Sequence, residues 1–414
     1  MLDSRQLNLV ARNPSSETPH HPPWKRTGQL LHGRNAGSNP TNRQVHSPRL
    51  DNPSAWRAEL ETQVDAFCDR WEALLPNGTG PSPFHRSAWL RDWYATLGRQ
   101  SSLQPVLVRV TTAHDGQDRL LLPLVRKSQA GMQLLLPADQ GVTDYNGPLL
   151  QPELRLDAPQ ARAMWSALRT TLARQGDLLR INKMLPDLSG VPNPLALALR
   201  HRPSPSTGHV FRVNECWETW RHSLKRQARR ESERHWRVFQ SYPSPRLELV
   251  TDPQRAMALL EALDEMQRMR LAPRGPYVLD APDYRAFYRR RLVTGLADGT
   301  VVLTALTSGD DSVAVALGVR NGVEFTLLRV GFAGDQWKSC APGRLLMEHS
   351  ARLMWDLGCR EFDLSIGSYA YKQTFGCEPR PLLEICTPLS WRGLPAAWAW
   401  HGKQWLEARQ RRSS

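Results

Sequence analysis

The stretch RVGFAGDQWKSCAPGRLLMEHSARLMWDLGCREFDLSIGSYAYKQTFG, residues 329–376, carries the densest directional signals in the chain. Pro342 suits the first turn of a helix because it needs no backbone donor there, and it pushes Ala341 into an extended conformation. The helix so started runs over residues 343–357 and stops at Gly358, which fits the position just past a helix end. Residues 362–366 then read as a strand. Gly343 has no Cβ, so a ligand can approach the free N–H groups of Gly343, Arg344 and Leu345, where the helix dipole favours negative charge. A pyrophosphate suits this cradle. Arg344 and Lys338 either add charge-assisted hydrogen bonds to the same anion or stand solvated. Strand, loop, anion-cradling helix and strand is the order expected of a coenzyme A site.

Working outward, residues 301–307, 312–320 and 323–330 read as three strands, the last two joined by Asn321-Gly322, a type I′ hairpin signal. Before them come helices over 253–269 and 282–296, and a long basic helix over about 218–239. Pro/Ser-rich residues 202–208 mark a linker. In the first half, Trp56, Leu60, Val64, Phe67, Trp71 and Leu74 recur at helical spacing with Ser54 as N-cap, and a short helix follows over 87–97. Strands at 104–112, 119–125 and 132–136 form a meander with a turn at Asp115-Gly116; a helix at 159–174 and a strand from Leu178 follow. Residues 382–387 supply one more strand. Each half reads helices, meander, helix, strand, so the expectation is α/β with two tandem subdomains and largely antiparallel sheets, although the halves share no sequence period. The expected division is a basic Pro-rich disordered tail at 1–53, subdomains at 54–207 and 208–392, and a basic helix or tail at 393–414.

The chain has 414 residues, enough for two ordinary domains. No apolar run approaches the roughly 18–20 residues of a membrane span, and the start lacks the roughly 7–15-residue apolar core of a secretory signal, so the expectation is a cytoplasmic protein, free or peripheral to the inner membrane. The net charge is +14, of which residues 1–50 hold +5, residues 219–237 hold +5 and residues 392–414 hold +4. The folded body is therefore neutral, and the expected partner is a small molecule or saccharide rather than specific nucleic acid, with the basic segments facing an anionic membrane surface or an acidic partner. Six Cys show no C-x-x-C pair and no zinc spacing, so no metal is expected and the thiols are read as reduced and mostly buried. Arg226, Arg230, Arg234 and Arg237 share one face of the basic helix, read as a solvated face or as a holder of an acidic acceptor, which makes Arg226 and Arg230 candidate substrate contacts. Trp391, Trp398, Trp400 and Trp405 lie in the basic C-terminal region, as an interfacial helix or a cap on the second subdomain.

The spacing Lys338-x-x-Ala341-x-Gly343 resembles a degenerate acyl-CoA motif of the GNAT acetyltransferase superfamily, with its first Gly replaced. PFHRSAWLRDW (83–93), LLLPLV (120–125), TDYNGPLL (143–150), LKRQARRESER (224–234), APGRLLMEH, FDLSIG and YKQTFG together resemble the cellulose-biosynthesis-associated (CelD/BcsL-like) branch, which is similar to FemABX transferases in carrying two GNAT-like units. The resemblance implies an acyltransferase that uses acetyl-CoA or another acyl-CoA, held by Lys338, Ala341, Pro342, Gly343, Arg344 and Leu345. It also implies a base near the fourth strand, Glu324 or Asp335, and a tyrosine acid after the next strand, Tyr371 with Tyr369 in reserve. Asp363 would orient the acceptor, and Lys372 is similar to a FemABX lysine that contacts an anionic acceptor. Acyl transfer from a thioester needs no enzyme nucleophile once the acceptor amine or hydroxyl is deprotonated and positioned. Two rivals stay open: a FemABX-like transferase using aminoacyl-tRNA, and a noncatalytic binding module recruited to anionic surfaces.

Overall fold

The computed structural model describes residues 56–410, apart from residues 153, 272–279 and 368 and the side chains of 403–410. The segment read as a disordered tail, the Ser54 cap and the side chain of Trp405 lie outside the described residues. The first half comprises β1 (Trp56–Glu61), α1 (Val64–Leu74), α2 (Ser87–Ala95), β2 (Leu103–Thr112), β3 (Asp118–Gln129), β4 (Met132–Pro137), the two-residue β5 (Leu149–Leu150), α3 (Ala158–Leu172), β6 (Leu178–Met184), a small hairpin of β7 (Asp187–Leu188) and β8 (Val191–Pro192), α4 (Pro194–Ala198) and β9 (His201–Pro203). The second comprises β10 (Gly208–Arg212), α5 (Trp217–Ser223), α6 (Arg226–Gln240), β11 (Pro245–Val250), α7 (Pro253–Leu271), α8 (Pro282–Ala297), β12 (Val301–Ser308), β13 (Asp311–Asn321), β14 (Glu324–Phe332), α9 (Pro342–Asp356), β15 (Glu361–Asp363), α10 (Ala370–Thr374), β16 (Glu378–Arg380), β17 (Leu383–Pro388) and α11 (Leu394–Gln410).

Two mixed sheets result, in the orders β1-β2-β3-β4-β6-β17-β9 and β11-β12-β13-β14-β15-β10-β16. Each is an antiparallel meander ending in one parallel pair across a helix: β4 and β6 around α3, β14 and β15 around α9. The repeated α/β architecture expected from the order of elements is therefore present. Strand β17 follows the second sheet in the chain but pairs with β6 and β9 in the first, so the sheets do not divide at one point of the sequence.

Several local readings are corrected. Trp56–Glu61 is an edge strand paired with β2, and the helix starts only at Val64, after the Glu61 carboxylate accepts the N–H groups of Thr62 and Gln63. Between the basic helix and α7 the chain forms a strand to which the sequence assigned no element, β11, which covers the edge of β12. The long basic helix is broken at Leu224, where ψ is 154°. Trp217 and Trp220 of α5 pack against Phe362 and Phe211, whereas α6 lays Ser232 and Trp236 against Glu348 and His349 of α9; one straight helix cannot serve both surfaces. The hairpin between β13 and β14 turns on Gly322-Val323, with Gly322 at φ 62° and Asn321 still paired with Glu324, which is a type II′ arrangement. Asn321 is thereby free to clasp the backbone of Gly80 in the first half through both amide atoms.

One core cluster of the second half brings Leu345, Leu346, Ala351 and Met354 of α9 against Ala314, Ala316, Phe325 and Leu327 of the sheet. Asp92 of α2 joins the halves by ion pairs at 2.8 Å to Arg290 and to the buried Arg291. The C-terminal helix α11 caps the first sheet, through Ala397 and Trp400 against Leu178 and Cys386, and not the second. All six cysteines are free, four of them buried and Cys216 exposed. Among the described residues no helix is long and apolar enough to cross a membrane, and no cluster of three or more His, Cys, Asp or Glu is arranged to hold a metal ion.

Candidate active site at a strand fork

β14 and β15 are in parallel register at Glu324 with Glu361, Phe325 with Phe362 and Thr326 with Asp363, and there the pairing stops. Beyond it the chain after β15 follows β10: the N–H of Leu364 donates to the His209 carbonyl at 2.8 Å and that of Gly367 to Thr207 at 3.3 Å. Strand β14 instead stays with β13 as far as Phe332, so among the described residues its far edge has no strand partner. A bulge sits at this parting. Leu317 pairs with Arg329 and Gly318 with Leu327, leaving Leu328 as the extra residue with no partner across β13. The bulge also resets the faces, so that Arg329 turns to Asp264 of α7 and Gly331 lies against Leu263. A free strand edge is a site for an extended ligand carrying amides, because its N–H and C=O groups are spaced to continue the sheet.

The anion cradle is smaller than the sequence implies. Pro342 opens α9 as expected, but Ala341 takes the left-handed conformation at φ 44°, not the extended one. This is the place of the glycine that the acyl-CoA motif carries, and a left-handed Ala costs about 1 kcal/mol that Gly does not. Ala341→Gly is expected to raise stability by about 0.5–1 kcal/mol in denaturant unfolding; a loss would contradict this reading of the loop. The Leu345 N–H is spent on the Ala341 carbonyl at 3.1 Å, which leaves Gly343 and Arg344 of the three amides. Gly343 is small for a packing reason: a Cβ there would stand 2.7 Å from the Phe332 ring. Arg344 turns away to Glu231 at 3.1 Å and the Ala228 carbonyl, and Lys338 is exposed and paired with Asp335 at 2.8 Å.

Below the fork lies a buried polar network built from both halves. Asp363 is fully buried; one carboxylate oxygen receives the Tyr145 hydroxyl at 2.5 Å and Arg380 at 3.0 Å, the other the Ser365 N–H at 2.6 Å. Arg380 also pairs with Glu324 at 3.1 Å and with Glu361. Ser365 donates to Asp144 at 2.6 Å. Lys372, 1% exposed, donates to the carbonyls of Ser365 and Ile366 at 2.7 and 2.9 Å. It therefore fastens the loop after β15 and does not present its ammonium to an acceptor, contrary to the role implied by resemblance. Gly208 has no Cβ because the Tyr145 hydroxyl fills that space.

Burial pushes the Asp363 and Asp144 carboxyls up, and lowers the Lys372 ammonium to about 8. Burial also raises Glu324 to about 7, against the pull of Arg380. A carboxyl raised on folding contributes stability that is complete below its unfolded value of 4.5 and is lost as pH rises through 7. Glu324→Gln lacks this dependence, so between pH 5 and pH 8 wild type is expected to lose on the order of 1–3 kcal/mol relative to the variant. Taking the difference removes the opposing loss on acidification from His85 and His349, both lowered by burial to about 4. Parallel stability profiles for the two proteins would contradict the assignment.

The equivalent fork in the first half is closed. β4 and β6 pair at Leu134 with Leu178 and Leu135 with Leu179, and beyond them Asn146 bridges to Met184 as a substitute strand. The Asn146 N–H donates to the Lys183 carbonyl at 2.8 Å and its side-chain amide to the Asn182 carbonyl at 2.9 Å, while Lys183 pairs with Asp139 at 2.8 Å. The loop that plugs this fork, residues 138–147, is also the one that hands Asp144 and Tyr145 to the second half.

Of the residues singled out by sequence, the structure brings Glu324, Asp363 and Lys372 into one network. Tyr371 stands beside it, half-buried and stacked on Tyr369 at 5.8 Å between ring centres, with burial raising its phenol to about 12. Asp335 and Lys338 are exposed beyond the end of β14. Arg226 and Arg230 are exposed on the side of α6 opposite Ala228, Ser232, His235 and Phe239, the face that packs inward, so they are not gathered at the fork. Sequence reasoning missed Leu328, Tyr145, Asp144 and Arg380. The only signal was that Asp144 and Tyr145 fall in the TDYNGPLL block.

Residues 226–373 match the sequence profile of a family described as Acetyltransferase (GNAT) domain. No curated protein sequence matches the chain. Among solved structures, the crystal structure of FemX aligns with 79% of this chain and 96% of its own at 11% identity, with a TM-score of 0.53. The C-terminal domain of a putative lysylphosphatidylglycerol synthetase from Agrobacterium fabrum aligns with 82% and 95% at 12% identity and TM-score 0.48. A tandem GNAT protein from the clavulanic acid biosynthesis pathway aligns with 81% and 99% at 13% identity and TM-score 0.43. Residues 226–373 thus carry the profile of a GNAT acetyltransferase domain, and most of the chain shares the α/β fold of FemX.

Proposed function

We propose that the chain is an acyltransferase whose β14–β15 fork holds an acyl thioester of coenzyme A, most simply acetyl-CoA, and passes the acyl group to an amine or hydroxyl. The supporting observation is the edge of β14, which beyond Thr326 has no strand partner among the described residues, with Leu328 displaced from the register beside the start of α9. The Leu328 N–H would meet the oxyanion that forms on the thioester carbon. Asp363 has both oxygens engaged and serves to orient, whereas only Oε1 of Glu324 is taken, by Arg380 and Thr326. A carboxyl held near pH 7 suits a general base, so Glu324 takes the acceptor proton through Oε2. The new C–N or C–O bond forms, the C–S bond breaks, and the thiolate takes a proton from Tyr371, whose raised value keeps the phenol protonated at neutral pH. The CelD/BcsL-like blocks favour a saccharide or envelope-related acceptor.

A second reading, aminoacyl transfer from tRNA, is favoured by the FemX-like fold and the exposed arginine strip of α6. Acetyl-CoA and aminoacyl-tRNA offered in parallel with amino-sugar acceptors separate the two. Thiol release with acetylated acceptor supports the first reading. Transfer only from tRNA supports the second, and no transfer from either donor contradicts both. Tyr371→Phe is expected to lower the single-turnover rate by about 10–100-fold; a wild-type rate removes its role as acid.

A further inference from the structure

The C-terminal helix α11 is apolar on two sides. One is covered: Ala397 is buried, and Trp400 packs with it against the first sheet under the guanidinium of Arg202 at 4.0 Å. The other is bare. Leu394, Pro395, Trp398, Ala399 and Gly402 are all exposed, at the spacing of one helix face, and no charged residue interrupts them. Trp391, just before the helix, extends the strip. Trp391 and Trp398 are 75% and 72% exposed, and Leu394 is 38% exposed. Such a face is ordinarily polar, because exposed tryptophan gains nothing from water.

The charge around the strip selects its occupant. Arg392 lies over the Trp391 ring at 5.6 Å, and the sequence adds Lys403, Arg409, Arg411 and Arg412 against Glu407 alone. The basic segment 1–50 would bring like charge to this surface, and so would a second copy of the same face. A strip with tryptophans, no hydrogen-bonding side chain besides their indoles, Arg392 beside it and a net positive C-terminal sequence fits the headgroup boundary of an anionic bilayer, where indoles and cations are both favoured.

We propose that the Trp391–Trp398 strip docks the protein on an anionic lipid surface. This rests on α11 alone and is independent of the acyl-transfer reading. The test is co-sedimentation of the full chain with vesicles of phosphatidylcholine and phosphatidylglycerol in equal parts, or of phosphatidylcholine alone. Wild type is expected to pellet with the mixed vesicles and bind the neutral ones at least about tenfold more weakly. Trp391→Ser/Trp398→Ser, shown by thermal unfolding to remain folded, is expected to lose at least about tenfold in affinity for the mixed vesicles. The proposal is overturned if wild type stays in the supernatant or if the double variant binds as tightly as wild type. Light scattering that shows a wild-type dimer dissociated by the double variant would assign the strip to self-association and overturn it equally.

Discussion

Arg380→Met is expected to cost about 3–5 kcal/mol of stability at pH 8, the largest effect of any single substitution in the buried network. Arg380 is the cation shared by Glu324, Glu361 and Asp363, and its guanidinium also lies 5.3 Å from the centre of the Tyr145 ring. Its removal leaves buried carboxylates facing one another, and they respond by holding protons. Glu324 and Asp363 are already raised by burial, so acid supplies those protons readily and the deficit is expected to shrink by pH 5. Adding Glu324→Gln to Arg380→Met is expected to recover part of the loss at pH 8. Denaturant unfolding at the two pH values checks this; an equal deficit at both would show that Arg380 acts by packing and not as a counter-ion.

Leu328→Pro is expected to have the largest effect on turnover, a fall of about 100–1000-fold in kcat, the range found when one oxyanion donor is lost. Proline removes the N–H, and it also removes the Leu side chain and fixes φ at about −65°, so an alanine variant is needed as the control for the side chain. Leu328 is the bulged residue, with no Cα partner on β13, and bulges are among the places in a sheet where proline is tolerated. Leu328→Ala keeps the N–H and is expected to stay within a few-fold of wild type. A proline variant that is folded and fully active, or an alanine variant equally impaired, would move the oxyanion site elsewhere.

Much of the second half was legible because its punctuation is local. Pro342 and Gly358 bound α9, and the three strands before it are mostly apolar runs separated by turns at Gly309 and Gly322. Trp56 and Leu60 matched a helical period by coincidence, since what decides that segment is the need of β2 for a partner. Strand β17 was readable as a strand but its sheet was not, because membership depends on pairing with β6 some 200 residues earlier in the chain. Gly343 and Lys372 drew notice for ligand chemistry, whereas a Phe332 ring and two loop carbonyls account for them. The contact of Tyr145 with Asp363 spans 218 residues, and no spacing rule reaches that far. The bulge at Leu328 is equally silent in sequence, because a bulge is a mismatch between two strands and belongs to neither.

Closure of the first fork by Asn146 leaves one open fork among the described residues, and this is the claim on which the functional account depends. Amide hydrogen exchange with and without coenzyme A tests it most directly. Slowed exchange at Leu327–Phe332 of β14 and at Gly343 and Arg344, with residues 138–147 unaffected, is the predicted result. Protection confined to the first half, or none at saturating coenzyme A, would contradict it.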